Sequence, residues 1–385
     1  MRVLHVISGL DPLSGGPTTA LIGLAAAQVD GGLDAVVAAT YQPGTQTAAV
    51  EQLRDHGVTV HLIGPASGRL SQHPGIRPTL HREVRAAQVV HIHALWEQIQ
   101  HEAAASARTE GVPFLIRPCG MLDPWSLGQN RWTKRMYLWW RLRSHLREAT
   151  AIHYTSEVER ELSQPVTRNP RAIVEPNGID LREFQDPPAR GRFRSRFPQL
   201  GQKRIVLFLS RIHHKKGLDL LVPAFARLAT GDAVLAIAGA DADGYRRTVQ
   251  ELIASHGIEE RVVFCGMLHG TERIEAFVDA EIMVLPSYQE NFGIAVVEAL
   301  ASGTPVIISD QVNIHHEITH ARVGAAIPTQ VNPLVAELDR WLQNADLRDS
   351  ASRRARPFVW EHYDWSKIAA RWEQHYRSLA PPRPA

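Results

Sequence analysis

Short apolar runs rich in β-branched residues recur along the chain, each followed by a turn and then by a stretch with apolar positions at helical spacing. In the first half the runs fall at Arg2–Ser8, Asp34–Ala39, Val58–Ile63, Val89–Ile92, Pro113–Ile116 and Ala151–Tyr154, with helices expected over Thr18–Val29 and Gly44–His56. Runs with so few polar positions suit strands buried on both faces, as in a parallel sheet covered by helices. The rhythm breaks around Glu175–Asp180 (EPNGID) and resumes with Ile205–Ser210, Val234–Ala238, Arg261–Phe264, Ile282–Leu285 and Pro305–Ile308. Helices are expected between them at Gly217–Leu228, Tyr245–His256, Thr271–Val278 and Phe292–Ser302. The pattern predicts two successive doubly wound α/β domains, 1–178 and 179–359. The Arg-, Pro- and Gly-rich stretch Leu181–Lys203 reads as their connection. Trp365, Ile368, Trp372 and Tyr376 share a helical face within Trp360–Leu379, which is expected to pack on a domain and could return to the first.

Composition narrows the class. A chain of 385 residues is too long for one ordinary core and fits two of about 150–200 residues. Lys and Arg number 42 against 40 Asp and Glu, so the near-neutral total weighs against a dedicated nucleic-acid binder. Two cysteines without a CxxC pair exclude a disulfide framework and a thiolate zinc site, and fit a reducing compartment. The apolar N-terminal run stops at Asp11, short of a signal sequence, and no stretch approaches a membrane span. A cytoplasmic protein is expected, with surface attachment to a membrane as an option.

The segment 285–310, LPSYQENFGIAVVEALASGTPVIISD, holds the densest candidate chemistry. A strand ends at Leu285, a loop carries Glu290, and a helix is expected to begin near Phe292 or Gly293. Its N-terminus offers unpaired N–H groups to a phosphate, and Gly293 permits close approach of a ligand. Glu298 follows eight residues after Glu290. As isolated carboxylates, the pair could equally be two solvated helix charges. The flanking residues resemble the E-x7-E motif of retaining glycosyltransferase family 4, whose fold is GT-B, two Rossmann-like domains facing a cleft.

Further segments match that family in order along nearly the whole chain: Gly15-Gly16-Pro17 after the first strand, VEPNGID at 174–180, and SRIHHKKG at 210–217. The resemblance implies sugar transfer from a UDP- or GDP-linked donor to a saccharide or lipid-linked acceptor, with retention of configuration and without a catalytic metal or other cofactor. It implies surface-polysaccharide or glycolipid synthesis. Arg211 and Lys216 would grip the donor diphosphate. Glu290 with Phe292, Gly293 and Ile294 would hold the donor sugar, Glu298 the ribose, and Leu268, in VVFCGML at 262–268, would frame the base. Gly15 and Gly16 would let phosphates and acceptor approach the backbone, and Asn177 lies at the domain junction. Asp241-Ala242-Asp243 reads as an ordinary turn rather than a metal-binding pair.

Other residues carry open alternatives. The loop at 117–125, RPCGMLDPW, resembles a subgroup in which a basic side chain would not be unexpected where Cys119 stands. Cys119 is either a reactive thiol or a small filler. His91 and His93 point to one face of a strand, and His93 either lines the acceptor side or belongs to the core. No metal site is expected, since His213-His214 and His315-His316 are adjacent pairs of poor chelating geometry. Residues 131–147, RWTKRMYLWWRLRSHLR, hold six basic and no acidic residues. This is either an interfacial helix for anionic lipid or a core helix with a solvated Arg face. A non-catalytic nucleotide-sugar-binding protein is the alternative to the enzyme.

Overall fold

The computed structural model describes residues 1–11, 16–44 and 48–380, and divides the chain into two units. The first comprises Met1–Ile179 together with the segment from Tyr363 onward; the second is Asp180–His362. Strands of the first unit are β1 Arg2–Ile7, β2 Asp34–Thr40, β3 Thr59–Ile63, β4 Val89–His93, β5 Phe114–Arg117, β6 Ala151–Tyr154 and β7 Ala172–Val174. Those of the second are β8 Arg204–Leu209, β9 Ala233–Ala238, β10 Val262–Gly266, β11 Ile282–Leu285, β12 Val306–Ser309 and β13 Gly324–Ile327. All their pairings are parallel, in the orders β3-β2-β1-β4-β5-β6-β7 and β10-β9-β8-β11-β12-β13. In each sheet the order reverses at one place, between β1 and β4 and between β8 and β11. Loops at the carboxyl ends of strands flanking such a reversal diverge and leave a crevice where ligands bind.

The two faces of the first sheet are covered differently. Leu4, Val6, Val90, Ile92, Phe114, Ile116 and Ile152 form one core with the helices Ile76–Ala86 and Gln98–Glu110. On the opposite face Val3, Val89, Leu115 and Ala151 meet Ile368, Trp372 and Tyr376 of the helix Trp365–Leu379. Trp365 itself needs two glycines. A Cβ at Gly23 would lie 2.2 Å from its Nε1, and one at Gly178 would lie 2.6 Å from its Cδ2.

Three expectations are corrected. The stretch read as a connection, 181–203, is folded into the second unit: Phe184, Phe193 and Leu200 are buried, and Asp279 accepts from the backbone N–H of Arg194 at 2.9 Å. Its arginines and glycines are surface positions between widely spaced apolar anchors, which masked them. Trp360–Leu379 is two helices, because Asp364 caps a new one by accepting from Ser366 N–H at 2.9 Å. Residues 131–147 form a helix, Arg131–Tyr137, then a π-helical turn over Leu138–Leu142, then a helix over Arg143–Glu148. Leu142 and Leu146 enter the core, whereas Trp132, Trp139 and Trp140 are 78%, 74% and 71% exposed. The core-helix alternative, with Trp side chains inside, therefore does not hold. Among the described residues no helix is long and apolar enough to cross a membrane.

Candidate functional site

In the second unit the loops after β8 and β11 flank the reversal of strand order and carry the expected residues. The β8 loop passes through Arg211 to a 3-10 turn at His214–Lys216 and then Gly217. Gly217 has φ +75°, and a Cβ there would lie 2.1 Å from the carbonyl oxygen of Pro286, so the two loops touch backbone to backbone. This contact brings Lys216 against Glu290, whose carboxylate accepts from the Lys216 ammonium. Glu290 is fixed from the other side: its N–H donates to Gln311 O and its carbonyl accepts from Asn313 N–H, each at 3.0 Å. Burial pushes the Glu290 carboxyl up, but Lys216, with Lys215 and Arg211 behind it, outweighs burial and holds it below the ordinary carboxylate range. Arg211 is exposed, leaving its guanidinium available to an anion.

Gly293, at φ +80°, caps the helix Ile294–Ala301, and Glu298 lies buried within that helix. Burial raises the Glu298 carboxyl to about 7, opposed by Arg273 and assisted by Glu183. Arg273 Nη1 donates to Glu298 at 2.6 Å, and the same guanidinium pairs with Glu183. Arg273 carried no sequence signal, since nothing in the spacing ties it to a carboxylate on another helix. Phe292 is buried, so its side chain is a packing group and only its backbone can face a ligand; Ile294 and Leu268 are partly exposed.

The residues expected in the first unit are scattered. Gly15 lies outside the described residues, and Gly16 begins the helix Gly16–Asp30 with open space where a Cβ would go. Asn177 is buried and accepts from Arg117 Nη2. Cys119, at φ +55°, donates to Arg117 O at 3.6 Å, and burial pushes its thiol up, away from the nucleophilic thiolate.

His93 is a core residue, with no exposed surface, and the acceptor-side reading is corrected accordingly. Strands β1, β4 and β6 place His5, His91, His93 and His153 on the face beneath the helix Trp365–Leu379, and their hydrogen bonds form one chain. His93 Nε2 and His5 Nδ1 are 3.0 Å apart, and His5 Nε2 and Gln28 Oε1 are 2.7 Å apart. Gln28 Nε2 donates to Tyr376 OH at 3.2 Å, which lies 2.8 Å from His91 Nδ1. His91 Nε2 is 3.0 Å from His153 Nδ1, and His153 Nε2 is 2.9 Å from Glu175 O. Because Gln28 Oε1 and Glu175 O can only accept, the direction propagates: each ring donates from Nε2, accepts or can accept at Nδ1, and is neutral. Burial accordingly pushes all four rings down, His5 to about 4. The ring nitrogens of His5, His91 and His93 lie within 4.8 Å of one another, but a cation there would have to break these bonds.

Comparison with known proteins agrees with this geometry. The family described as glycosyl transferases group 1 matches residues 190–358, and a glycosyl transferase 4-like domain matches residues 15–178. A GDP-mannose:cellobiosyl-diphosphopolyprenol alpha-mannosyltransferase of Xanthomonas campestris is 24% identical over 398 residues, covering 100% of this chain and 98% of that protein. A D-inositol 3-phosphate glycosyltransferase of Nocardia farcinica is 31% identical over 224 residues, 53% of this chain and 49% of that protein. An uncharacterized glycosyltransferase of Methanocaldococcus jannaschii is 30% identical over 198 residues, 50% of each chain. The chain thus spans about half the length of these last two relatives. HepE of Anabaena, solved in complex with UDP and glucose, superposes with a TM-score of 0.81 at 18% identity, over 98% of this chain and 100% of that one. The fold is GT-B.

Proposed function

The chain belongs to the glycosyl transferases of group 1, with a glycosyl transferase 4-like first unit, and on that premise we propose that it moves a sugar from a nucleotide-diphosphate donor to an acceptor hydroxyl, with retention of configuration. The observation that carries the reading is the Lys216–Glu290 pair beside the helix N-terminus at Gly293. Departure of a nucleoside diphosphate leaves negative charge on the phosphates. Fixed cations and backbone N–H groups aimed at that charge stabilise the transition state. Arg211 and Lys216 supply the first and the residues after Gly293 the second, so on this reading no metal is required. Glu290 would take hydroxyls of the donor sugar and Glu298 those of the ribose. The relatives' names supply GDP-mannose as a donor to try first, and a diphosphopolyprenol-linked saccharide or a phosphorylated inositol as acceptor types.

The test is a panel of UDP- and GDP-hexoses scored by melting temperature. A donor at one hundred times its Kd stabilises by about 2.7 kcal/mol, a rise of roughly 5–10 °C for a domain of this size. A panel in which no nucleotide sugar shifts the transition would sink the reading.

On this reading the acceptor is met at a membrane surface, and the exposed segment 131–147 supports that reading. Arg135 lies 5.8 Å from the Trp132 ring and Arg141 5.1 Å from the Trp140 ring, so cationic and aromatic groups share one surface. Such a surface suits the headgroup layer of anionic lipid. Flotation with phosphatidylglycerol-containing vesicles is expected to recover the protein at low salt. The double substitution Trp139→Ser and Trp140→Ser should lower that binding at least about tenfold; equal flotation of the two proteins would count against the surface.

A further inference from the structure

Three charged side chains of the second unit come from separate elements and meet. Arg273 stands on the helix Thr271–Asp279, Glu298 on the helix Ile294–Ala301, and Glu183 in the 3-10 turn Leu181–Phe184 at the start of the unit. Arg273 Nη1 donates to Glu298 Oε1 at 2.6 Å, and its Nη2 donates to Glu183 Oε2. The turn is anchored, because Leu181 and Phe184 are buried and Arg356 Nη2 donates to the Phe184 carbonyl at 2.9 Å. The glutamates on the Arg273 helix are engaged elsewhere, Glu272 and Glu275 both pairing with Arg196.

The two carboxylates depend on Arg273 to different degrees. The Glu183 side chain is 44% exposed against 10% for Glu298, so water solvates the first and scarcely reaches the second. Among the described residues Arg273 is the one hydrogen-bond partner of the Glu298 carboxylate, and it takes only Oε1, leaving Oε2 without a partner. Arg273 Nε is buried and unpaired, so the two carboxylates are what orient the guanidinium. A planar fork spans both at once, a geometry that an ammonium does not reproduce. Burial raises the Glu298 carboxyl, Arg273 opposes the rise, and Glu183 adds to it as a like charge.

We propose that Arg273 is a positioning residue for the donor: it holds Glu298 by one oxygen so that the other accepts a ribose hydroxyl, and Glu183 competes for the same guanidinium and weakens that hold. The inference rests on the reading of Glu298 as the ribose contact. An ionised carboxylate accepts from a hydroxyl about twice as strongly as a neutral group does. The ribose contact is therefore at full strength above about pH 7 and fades as the pH falls through the Glu298 value. Loss of the Arg273 charge removes what opposes burial and moves that midpoint up. Loss of the Glu183 charge removes a repulsion, frees the guanidinium for Glu298, and moves the midpoint down.

The experiment measures binding of UDP and GDP to the full chain by calorimetry from about pH 6 to about pH 8.5, each beside its 2′,3′-dideoxy counterpart. The diphosphate, Glu290 and His213 act alike on both members of a pair, so the ratio of the two affinities reports the ribose contact. The ribonucleotide should bind about tenfold more tightly at about pH 8. That ratio should shrink severalfold toward about pH 6, with its midpoint at about 7. Arg273→Met, which keeps an apolar stem and loses the charge, should abolish the preference at neutral pH and restore it only at higher pH. Arg273→Lys should recover part of it. Glu183→Gln should move the midpoint to lower pH, and this exposed site still decides the matter if Arg273→Met does not fold. A ratio independent of pH, or a midpoint unmoved by Arg273→Met or by Glu183→Gln, would each overturn the proposal while nucleotide binding and the transfer reading stand. Binding of neither nucleotide would instead remove the reading of the second unit, and the inference with it.

Discussion

Lys216→Ala is expected to lower kcat/KM for transfer from a nucleotide sugar by about 10²–10³, the scale on which loss of one preorganised charge acts on a developing anion. The substitution does two things at once. On the proposed reading it removes a cation from the diphosphate, and it leaves Glu290 half-buried beside only Lys215 and Arg211. Burial, now opposed by less charge, should push the Glu290 carboxyl up from the depressed value it holds in the pair. The acid limb of the pH–rate profile should therefore move to higher pH in Lys216→Ala. Glu290→Gln should abolish that limb instead, since the titrating group is gone. Breaking a fully buried pair costs about 3 kcal/mol or more; this one is partly exposed on the Glu290 side, so the melting temperature should fall by at most roughly 6–12 °C. Full activity in Lys216→Ala with an unshifted profile would show that the pair is structural and would remove it from the site.

Acid lability of the first unit is the second large effect. The four histidines beneath the helix Trp365–Leu379 are neutral in the folded chain, and His145, about 2.9 Å from His101, is likewise pushed down to about 4 by burial. The folded-state values lie below the ordinary 6.5, whereas the unfolded chain titrates at about that value. Above it neither state binds the proton and these groups contribute no pH dependence. As pH falls from about 6.5 toward the folded values, only the unfolded chain takes up protons, and stability is lost throughout that window. A ring that refuses its proton outright forfeits about 2 kcal/mol by pH 5. The rings share one network, so their losses are not additive, yet the melting temperature should drop by roughly 10 °C or more between pH 7 and pH 5. A flat profile over that range would mean that the rings are not held neutral. The direction of every bond in the chain from His93 to Glu175 would then need reassignment.

What could be read from the chain itself followed the physics of burial. Strands inside the sheets are nearly continuous apolar runs, and each of the expected ones is present. The two that were missed, Ala172–Val174 and Gly324–Ile327, lie at sheet edges, where half-exposure leaves little apolar signature. Glu290, Lys216 and Arg211 were legible because they sit in loops flanking a strand reversal whose motif is local in sequence. Arg273 was not, because its partner comes from another element, a carboxylate one helix away. The histidines were visible singly as interruptions of apolar runs. Only the register that sets His5 beside His91, and the helix that brings Tyr376, shows that they form one network.

Trp365 seated on Gly23 and Gly178 has a consequence for the order in which the molecule can be made. The second unit is an insertion within the first, and a chain growing from its N-terminus exposes all seven strands of the first sheet long before the segment that covers half of one face. Until Trp372 and Tyr376 have emerged from the ribosome, the histidine face stays open to water and Tyr376 cannot complete the bond to His91. The second unit, contiguous in sequence, is free to fold in that interval, so the part of the protein begun first is the part finished last.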